Sequence, residues 1–243
     1  MELDFNGRTV LVVGGSSGIG NGIAQAFRAR GAAVHVWGTR ASASDYRSDE
    51  GSDLEGLGYA RVDVSDFDAI AQCVPAFDRL DVLVLSQGMV LYKRGEFKVE
   101  GFRKVVDVNL SSLMACAEKF YPMLAASKGA LITISSTAAY HATVGNPAYN
   151  ASKSGVVGLT RTLAQAWAPE GIRVNGIAPG FVATKMTRVT TENPERLKGA
   201  LSRIPAGRLG TPGDMAGVAL FLASPLAAYV VGQTIPVDGG LIL

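Results

Sequence analysis

Tyr149 and Lys153 stand four residues apart in the run Tyr149-Asn150-Ala151-Ser152-Lys153. At the start of a helix, that spacing puts a phenol and an ammonium on one face. A free phenol has a pKa of about 10 and is a poor base at neutral pH. A cation close by favours the phenolate and brings the group towards the working range. Such a phenol protonates a carbonyl oxygen as hydride arrives, or removes the proton of an alcohol in the reverse direction. With seven tyrosines and eight lysines in 243 residues, chance alone gives about 0.2 such pairs, so position has to carry the assignment. Ser136 lies thirteen residues earlier, after an apolar run. Its hydroxyl can stabilise charge developing on a substrate oxygen, although a serine there ordinarily makes a turn. Asn109 sits inside a long apolar helical pattern, where an amide is costly to bury unless its hydrogen bonds are met.

A second constellation lies near the amino terminus, in Val13-Gly14-Gly15-Ser16-Ser17-Gly18-Ile19-Gly20. Glycines here allow a tight turn and a close backbone approach to a pyrophosphate, and a helix amino terminus adds favourable partial charge. A glycine-rich loop alone is weak evidence, but this one joins an apolar strand pattern to an amphipathic helix. Gly14, Ser16, Ser17, Gly18, Ile19 and Gly20 are therefore read as contacts of a dinucleotide. The second strand ends in Trp37-Gly38-Thr39-Arg40, with no acid until Asp45. An acid there would hold a ribose 2′-hydroxyl, whereas an arginine accepts a 2′-phosphate. Thr39 and Arg40 incline the reading to NADP(H), with NAD(H) not excluded.

These groups need a scaffold that brings them together. Short β-branched runs recur at residues 9–13, 34–37, 82–85, 131–134, 173–177 and 234–237. Helical periodicity fills the intervals, most clearly over 19–30, 102–126 and 151–167. Apolar strands alternating with helices predict a single-domain α/β fold, a doubly wound, mostly parallel sheet covered on both faces. Ligands of such sheets sit beyond the carboxyl ends of the strands. Residues 41–58 are rich in Ser, Asp and Gly and are expected to be mostly loop. Pro122 is expected to bend or end its helix near the last turn.

The composition narrows the function further. Hydrophobic residues make up 48% and charged residues 18%, and the net charge is +2 without a basic stripe. That balance suits a globular protein and gives no reason to expect nucleic acid or membrane partners. The start, Met1-Glu2-Leu3-Asp4-Phe5-Asn6, lacks the pattern of a secretion signal, so a cytoplasmic location is expected. Cys73 and Cys116 lack metal-ligand or redox spacing and are read as small buried hydrophobes; no metal is expected.

Taken together, Gly14–Gly20, Asp63-Val64, Asn109, Ser136, Tyr149 with Lys153, and Pro179-Gly180-Phe181-Val182-Ala183-Thr184 resemble the short-chain dehydrogenase/reductase family over almost the whole chain. The resemblance implies a seven-stranded Rossmann-type sheet and a nicotinamide-dependent exchange of a ketone and a secondary alcohol. It implies that Asn109 holds a water in a proton relay and that Lys153 also binds the nicotinamide ribose. Asp63 and Val64 would lie by the adenine, and Val182 and Thr184 by the carboxamide. Ser86, Gly88, Pro179 and Gly180 complete the implied cofactor set. A lid is implied at residues 185–201, with Tyr140, Asn146 and Met186 as substrate contacts, and a homotetramer through the two long helices. The chain departs from the pattern at Val13, in the loop-like 41–58 crossover, and at Leu85-Ser86-Gln87-Gly88, where the family has Asn-Asn-Ala-Gly.

The stretch from Ile204 to Gly240 is most similar to 3-oxoacyl-thioester reductases and to sugar or alcohol dehydrogenases. The resemblance implies that reductases acting on a carrier protein show basic residues where the two long helices end, near the site entrance. Here those ends carry Lys128 and Glu170, and an acid works against an anionic carrier. A small free ketone or alcohol is therefore the first expectation and a 3-oxoacyl thioester the second. A nucleotide sensor or scaffold without turnover is disfavoured, because all four catalytic positions are filled.

Overall fold

The computed structural model describes residues 3–49 and 51–243. Met1 and Glu2 of the amino-terminal segment, and Glu50 of the 41–58 crossover, lie outside the described residues. Runs of aliphatic residues form β1 (Thr9–Val13), β2 (Ala33–Gly38), β3 (Gly58–Arg61), β4 (Val82–Leu85), β5 (Ala130–Ile134), β6 (Arg173–Pro179) and β7 (Thr234–Val237). They build one sheet in the order β3-β2-β1-β4-β5-β6-β7, every neighbouring pair parallel.

Parallel neighbours require crossovers. The helices among the described residues are α1 (Gly18–Arg28), α2 (Phe67–Gln72), α3 (Val99–Val106), α4 (Ser112–Ser127), α5 (Pro147–Trp167), α6 (Arg188–Thr191), α7 (Pro194–Leu201) and α8 (Pro212–Ala223). Successive strand residues point to opposite faces and so divide the core in two. Val10 and Val12 pack with Ile23, Phe27, Met215 and Leu220 on the face covered by α1 and α8. Leu11 and Val13 pack with Leu113, Phe120, Leu124 and Leu163 on the face covered by α4 and α5. The strand order reverses between β1 and β4, which opens a crevice beyond their carboxyl ends.

Three features differ from the sequence reading. The helical pattern over 102–126 is two helices joined by a π turn, Asp107–Ser111, which carries Asn109. Pro122 does not end α4, which continues to Ser127 before Lys128 turns left-handed at φ 51°. One missing backbone donor is tolerated there because the helix is packed along its length against the sheet. The short edge strand β3 gave no apolar run, since its Gly-Tyr-Ala-Arg sequence is only partly buried. Among the described residues, the expected loop at 41–58 has regular structure only in a short turn, Ala43–Tyr46, and at Gly58, where β3 begins. Among the described residues no helix is long and apolar enough to cross a membrane.

Candidate active site

A cleft of about 500 Å³ lies over the carboxyl ends of β1, β2, β4, β5 and β6. Gly14 follows β1, and its neighbourhood explains the residue type. It has φ 74°, and a Cβ would stand 2.8 Å from the Gln87 backbone. Among the described residues no side chain caps α1, and the first-turn residues Ile19 and Gly20 line the cleft. Uncapped N–H groups at a helix amino terminus suit a phosphate. Asp63, its carboxyl held below the ordinary range by hydrogen bonds from Ser65, and Val64 line the same cleft. A helix end without a side-chain cap, whose Gly18 N–H goes to the Gly51 carbonyl, and a glycine turn without room for side chains fit a dinucleotide in this crevice.

The catalytic candidates come from three elements. Tyr149 and Lys153 are in the first two turns of α5, on the shared face that their spacing implied. Lys153 is 4% exposed, its Nζ donates to the Ile134 carbonyl at 2.8 Å, and it lies 5.7 Å from the Tyr149 ring centre. Burial pulls its ammonium down to about 8. Ser136 follows β5, accepts a hydrogen bond from the Ala138 N–H at 3.1 Å, and acts on the Tyr149 phenol by drawing its pKa down. Ser136 thus makes the turn and lines the cleft at once.

The electrostatics correct one expectation. Burial pushes the Tyr149 phenol up, Ser136 draws it down, and Tyr92 and Glu96 raise it further. In this state, desolvation of both groups prevails over any lowering by Lys153. The one hydrogen bond that the ammonium makes here goes to the Ile134 carbonyl.

Asn109 is fully buried, and its amide is hydrogen-bonded at both its oxygen and its nitrogen. Its Oδ1 accepts from the Met89 N–H at 2.7 Å, and its Nδ2 donates to the Met89 carbonyl and to Ser152 Oγ. It fixes the segment after β4 to α5 and does not itself line the cleft. Gln87 supplies a hydrogen bond where the family asparagines are absent, donating to Ser112 Oγ at 3.1 Å. Cys116 is buried, as read from the sequence, whereas Cys73 is only half-buried.

The cleft lining includes Thr39, Ser86, Gly88, Pro179, Gly180, Val182, Thr184 and Met186. It does not include Arg40, Tyr140 or Asn146. Arg40 pairs with Asp49 at 2.6 Å, donates to the Asp45 carbonyl and stacks over Tyr46. Asp49 also accepts from Lys185. The Tyr140 hydroxyl points to the Thr234 carbonyl at 3.5 Å, and the Asn146 amide bonds the Leu91 carbonyl and Glu96. The sequence reading gave no site role to Trp37, Val62 or Lys104, which also line the cleft, and placed Lys185 only in the lid. Lys185 had a signal, since it follows Thr184; the others are ordinary residue types in their elements.

A short-chain dehydrogenase family model, described as enoyl-(acyl-carrier-protein) reductase, matches residues 13–242. The chain is a short-chain dehydrogenase/reductase. This short-chain dehydrogenase is 38% identical to the 3-oxoacyl-(acyl-carrier-protein) reductase of Chlamydia pneumoniae, over 99% of both chains. It is 37% identical to the 2-dehydro-3-deoxy-D-gluconate 5-dehydrogenase of Bacillus subtilis, over 97% of this chain and 95% of that one. Its fold superposes, with a TM-score of 0.88 and 35% identity, on a putative 2-deoxy-D-gluconate 3-dehydrogenase of Agrobacterium tumefaciens solved with bound NADP. That match covers 99% of this chain and 98% of the other. This short-chain dehydrogenase is accordingly an NAD(P)-dependent oxidoreductase acting on CH–OH and C=O groups.

Proposed function

We propose that this enzyme interconverts a small free ketone and its secondary alcohol, with Tyr149 as general acid and base. The convergence of Tyr149, Ser136 and Lys153 in one cleft with the glycine loop carries this reading. A bound nicotinamide supplies or accepts the hydride. Tyr149 gives its proton to the carbonyl oxygen in reduction and takes it back in oxidation. Ser136 donates a hydrogen bond to that oxygen as charge develops. Lys153 holds the ribose and stabilises the phenolate, and Asn109 secures the backbone behind the site and a relay water. Residues 185–201, which form α6, α7 and the turn before them, close over the substrate beside Met186. Tyr140 and Asn146 reach the substrate only if that closure rearranges the loops that now hold them.

For the cofactor we favour NADP(H). No acid closes β2, Thr39 lines the cleft, and Arg40 and Lys185 stand together around Asp49. The enzyme is read as a cytoplasmic homotetramer assembled through α4 and α5, with no nucleic acid or membrane partner.

A 3-oxoacyl thioester is the second reading, supported by the Chlamydia relative. The expectation from Glu170 does not hold. It follows α5 and shortly precedes Arg173, where β6 begins at the end of the sheet opposite the cleft, so it bears on neither substrate. The sugar-acid dehydrogenases among the relatives support a free substrate. The test is nicotinamide absorbance with NADPH and NADH against cyclic ketones, aryl ketones, sugars and acetoacetyl thioesters. Turnover of a free ketone supports the first reading, and activity confined to the thioester replaces it with the second.

A further inference from the structure

We propose that Glu96 is a positioning residue for the reaction: its buried carboxylate locks the first turn of α5, and with it Tyr149, to the loop after β4. The proposal rests on the reading of Tyr149 as the acid and base.

Glu96 is 1% exposed and, among the described residues, forms no ion pair. A buried carboxylate is tolerated only when donors surround it. Its Oε2 accepts from the Tyr149 N–H at 2.9 Å, and its Oε1 accepts from the Leu91 N–H at 3.0 Å and from Asn146 Nδ2 at 3.3 Å. Three donors face it, the set that an ionised carboxylate takes. The contact with Tyr149 does the work of a helix cap. Asn146 makes no side-chain cap, Pro147 has no N–H, and the first-turn N–H of Tyr149 has no partner within the helix. Glu96 supplies the missing acceptor from a different element, with its charge at the favourable end of the helix.

The other end of the lock is a strained loop. Lys93 and Arg94 are both left-handed, at φ 54° and 60°, a conformation that side chains rarely adopt. The Glu96 bond to Leu91 fixes the start of that turn. Tyr92, within it, donates from its hydroxyl to the Met186 carbonyl at 2.6 Å. One carboxylate thus joins the catalytic helix to a loop that touches the 185–201 segment. Glu96 does not line the cleft, so it acts through Tyr149.

Its charge also reaches the phenol. The titratable groups facing Tyr149 are Lys153 on its own helix, Tyr92 on the loop after β4, and Glu96 in the turn before α3. Removing the negative charge lowers the phenol pKa relative to the parent. Reduction requires the protonated phenol, so the high-pH limb of kcat/KM then moves to lower pH.

The experiment compares parent, Glu96→Gln, Glu96→Asp and Tyr149→Phe, using a ketone that the parent turns over. It measures kcat, cofactor affinity by fluorescence, and the pH profile of reduction. Glu96→Gln should lower kcat about tenfold, leave cofactor affinity unchanged and shift the limb downward. Glu96→Asp keeps the charge but has a shorter reach, so it should lower kcat and leave the limb in place. Parent kcat and an unmoved limb in Glu96→Gln overturn the proposal, even if its melting temperature falls. Should Glu96→Gln fail to fold, parent kcat in Glu96→Asp overturns it equally. Turnover by Tyr149→Phe refutes the reading of Tyr149 itself, an outcome distinct from either.

Discussion

Lys153 illustrates how a single residue can favour chemistry over stability. Its ammonium is buried with one carbonyl acceptor, and its pKa falls from 10.5 to about 8. The unfolded chain therefore binds more protons between these values, and stability rises with pH across that window. Below it, the whole penalty is present, on the order of 3 kcal/mol. Lys153→Met should abolish most turnover and yet be about 1–2 kcal/mol more stable at pH 7, the Ile134 carbonyl having lost its donor. That gain should shrink by pH 9. Thermal melts at the two pH values check it, and a variant less stable than the parent at pH 7 contradicts it. Tyr149 and Lys153 were legible in the sequence because their chemistry depends on type and spacing along one helix. Glu96 was not, since a single acid beside Phe97 gains its meaning only when α5 is packed against it.

At the scale of elements, the crossover after β2 lies across the phosphate loop. Gly18 donates its N–H to the Gly51 carbonyl at 2.8 Å, and Asn21 bonds the backbone of Asp53 in both directions. Asp49 then holds Arg40 and Lys185, its carboxyl kept below the ordinary range chiefly by the Lys185 hydrogen bond. On the proposed reading a 2′-phosphate competes with Asp49 for both cations. Asp49→Asn should tighten NADPH about three- to five-fold with little effect on NADH, as expected for a partly exposed ion pair. Arg40→Ala should weaken NADPH alone. Titration by nicotinamide fluorescence decides, and equal effects on both cofactors contradict the phosphate reading. Arg40 was visible in the sequence, but its partner was not. The Ser- and Asp-rich crossover has no periodicity from which Asp49 could be placed. The π turn at Asn109 escaped for a related reason, because apolar periodicity runs through it on both sides.

Across the whole molecule, stability is anchored at the end of the sheet opposite the cleft. Asp81 precedes β4 and is 4% exposed. It accepts from the Thr9 N–H at 3.0 Å, from Arg8 at 2.8 Å, and from Arg79 through two nitrogens. Burial pushes its carboxyl up, but the hydrogen bonds from Arg79, Thr9 and Arg8 outweigh this and hold it below 3.8. The stability it contributes is thus complete above the ordinary carboxylate range and is lost as pH falls through the lowered value. Asp81→Ala should cost about 2 kcal/mol at pH 7 and less near pH 3, with cofactor affinity unchanged. Denaturant melts at both pH values measure this, and a loss that does not shrink in acid contradicts it. The doubly wound sheet itself was legible, because buried central strands must be continuous aliphatic runs. The edge strand β3 was not, since half-burial demands no such run.

The most direct test of the account is Tyr149→Phe, which removes one hydroxyl and leaves the ring in its place. Cofactor affinity should remain within about twofold of the parent, while kcat for ketone reduction should fall by about 10³-fold or more. Turnover within tenfold of the parent, with cofactor still bound, would contradict the assignment of Tyr149 as the proton donor.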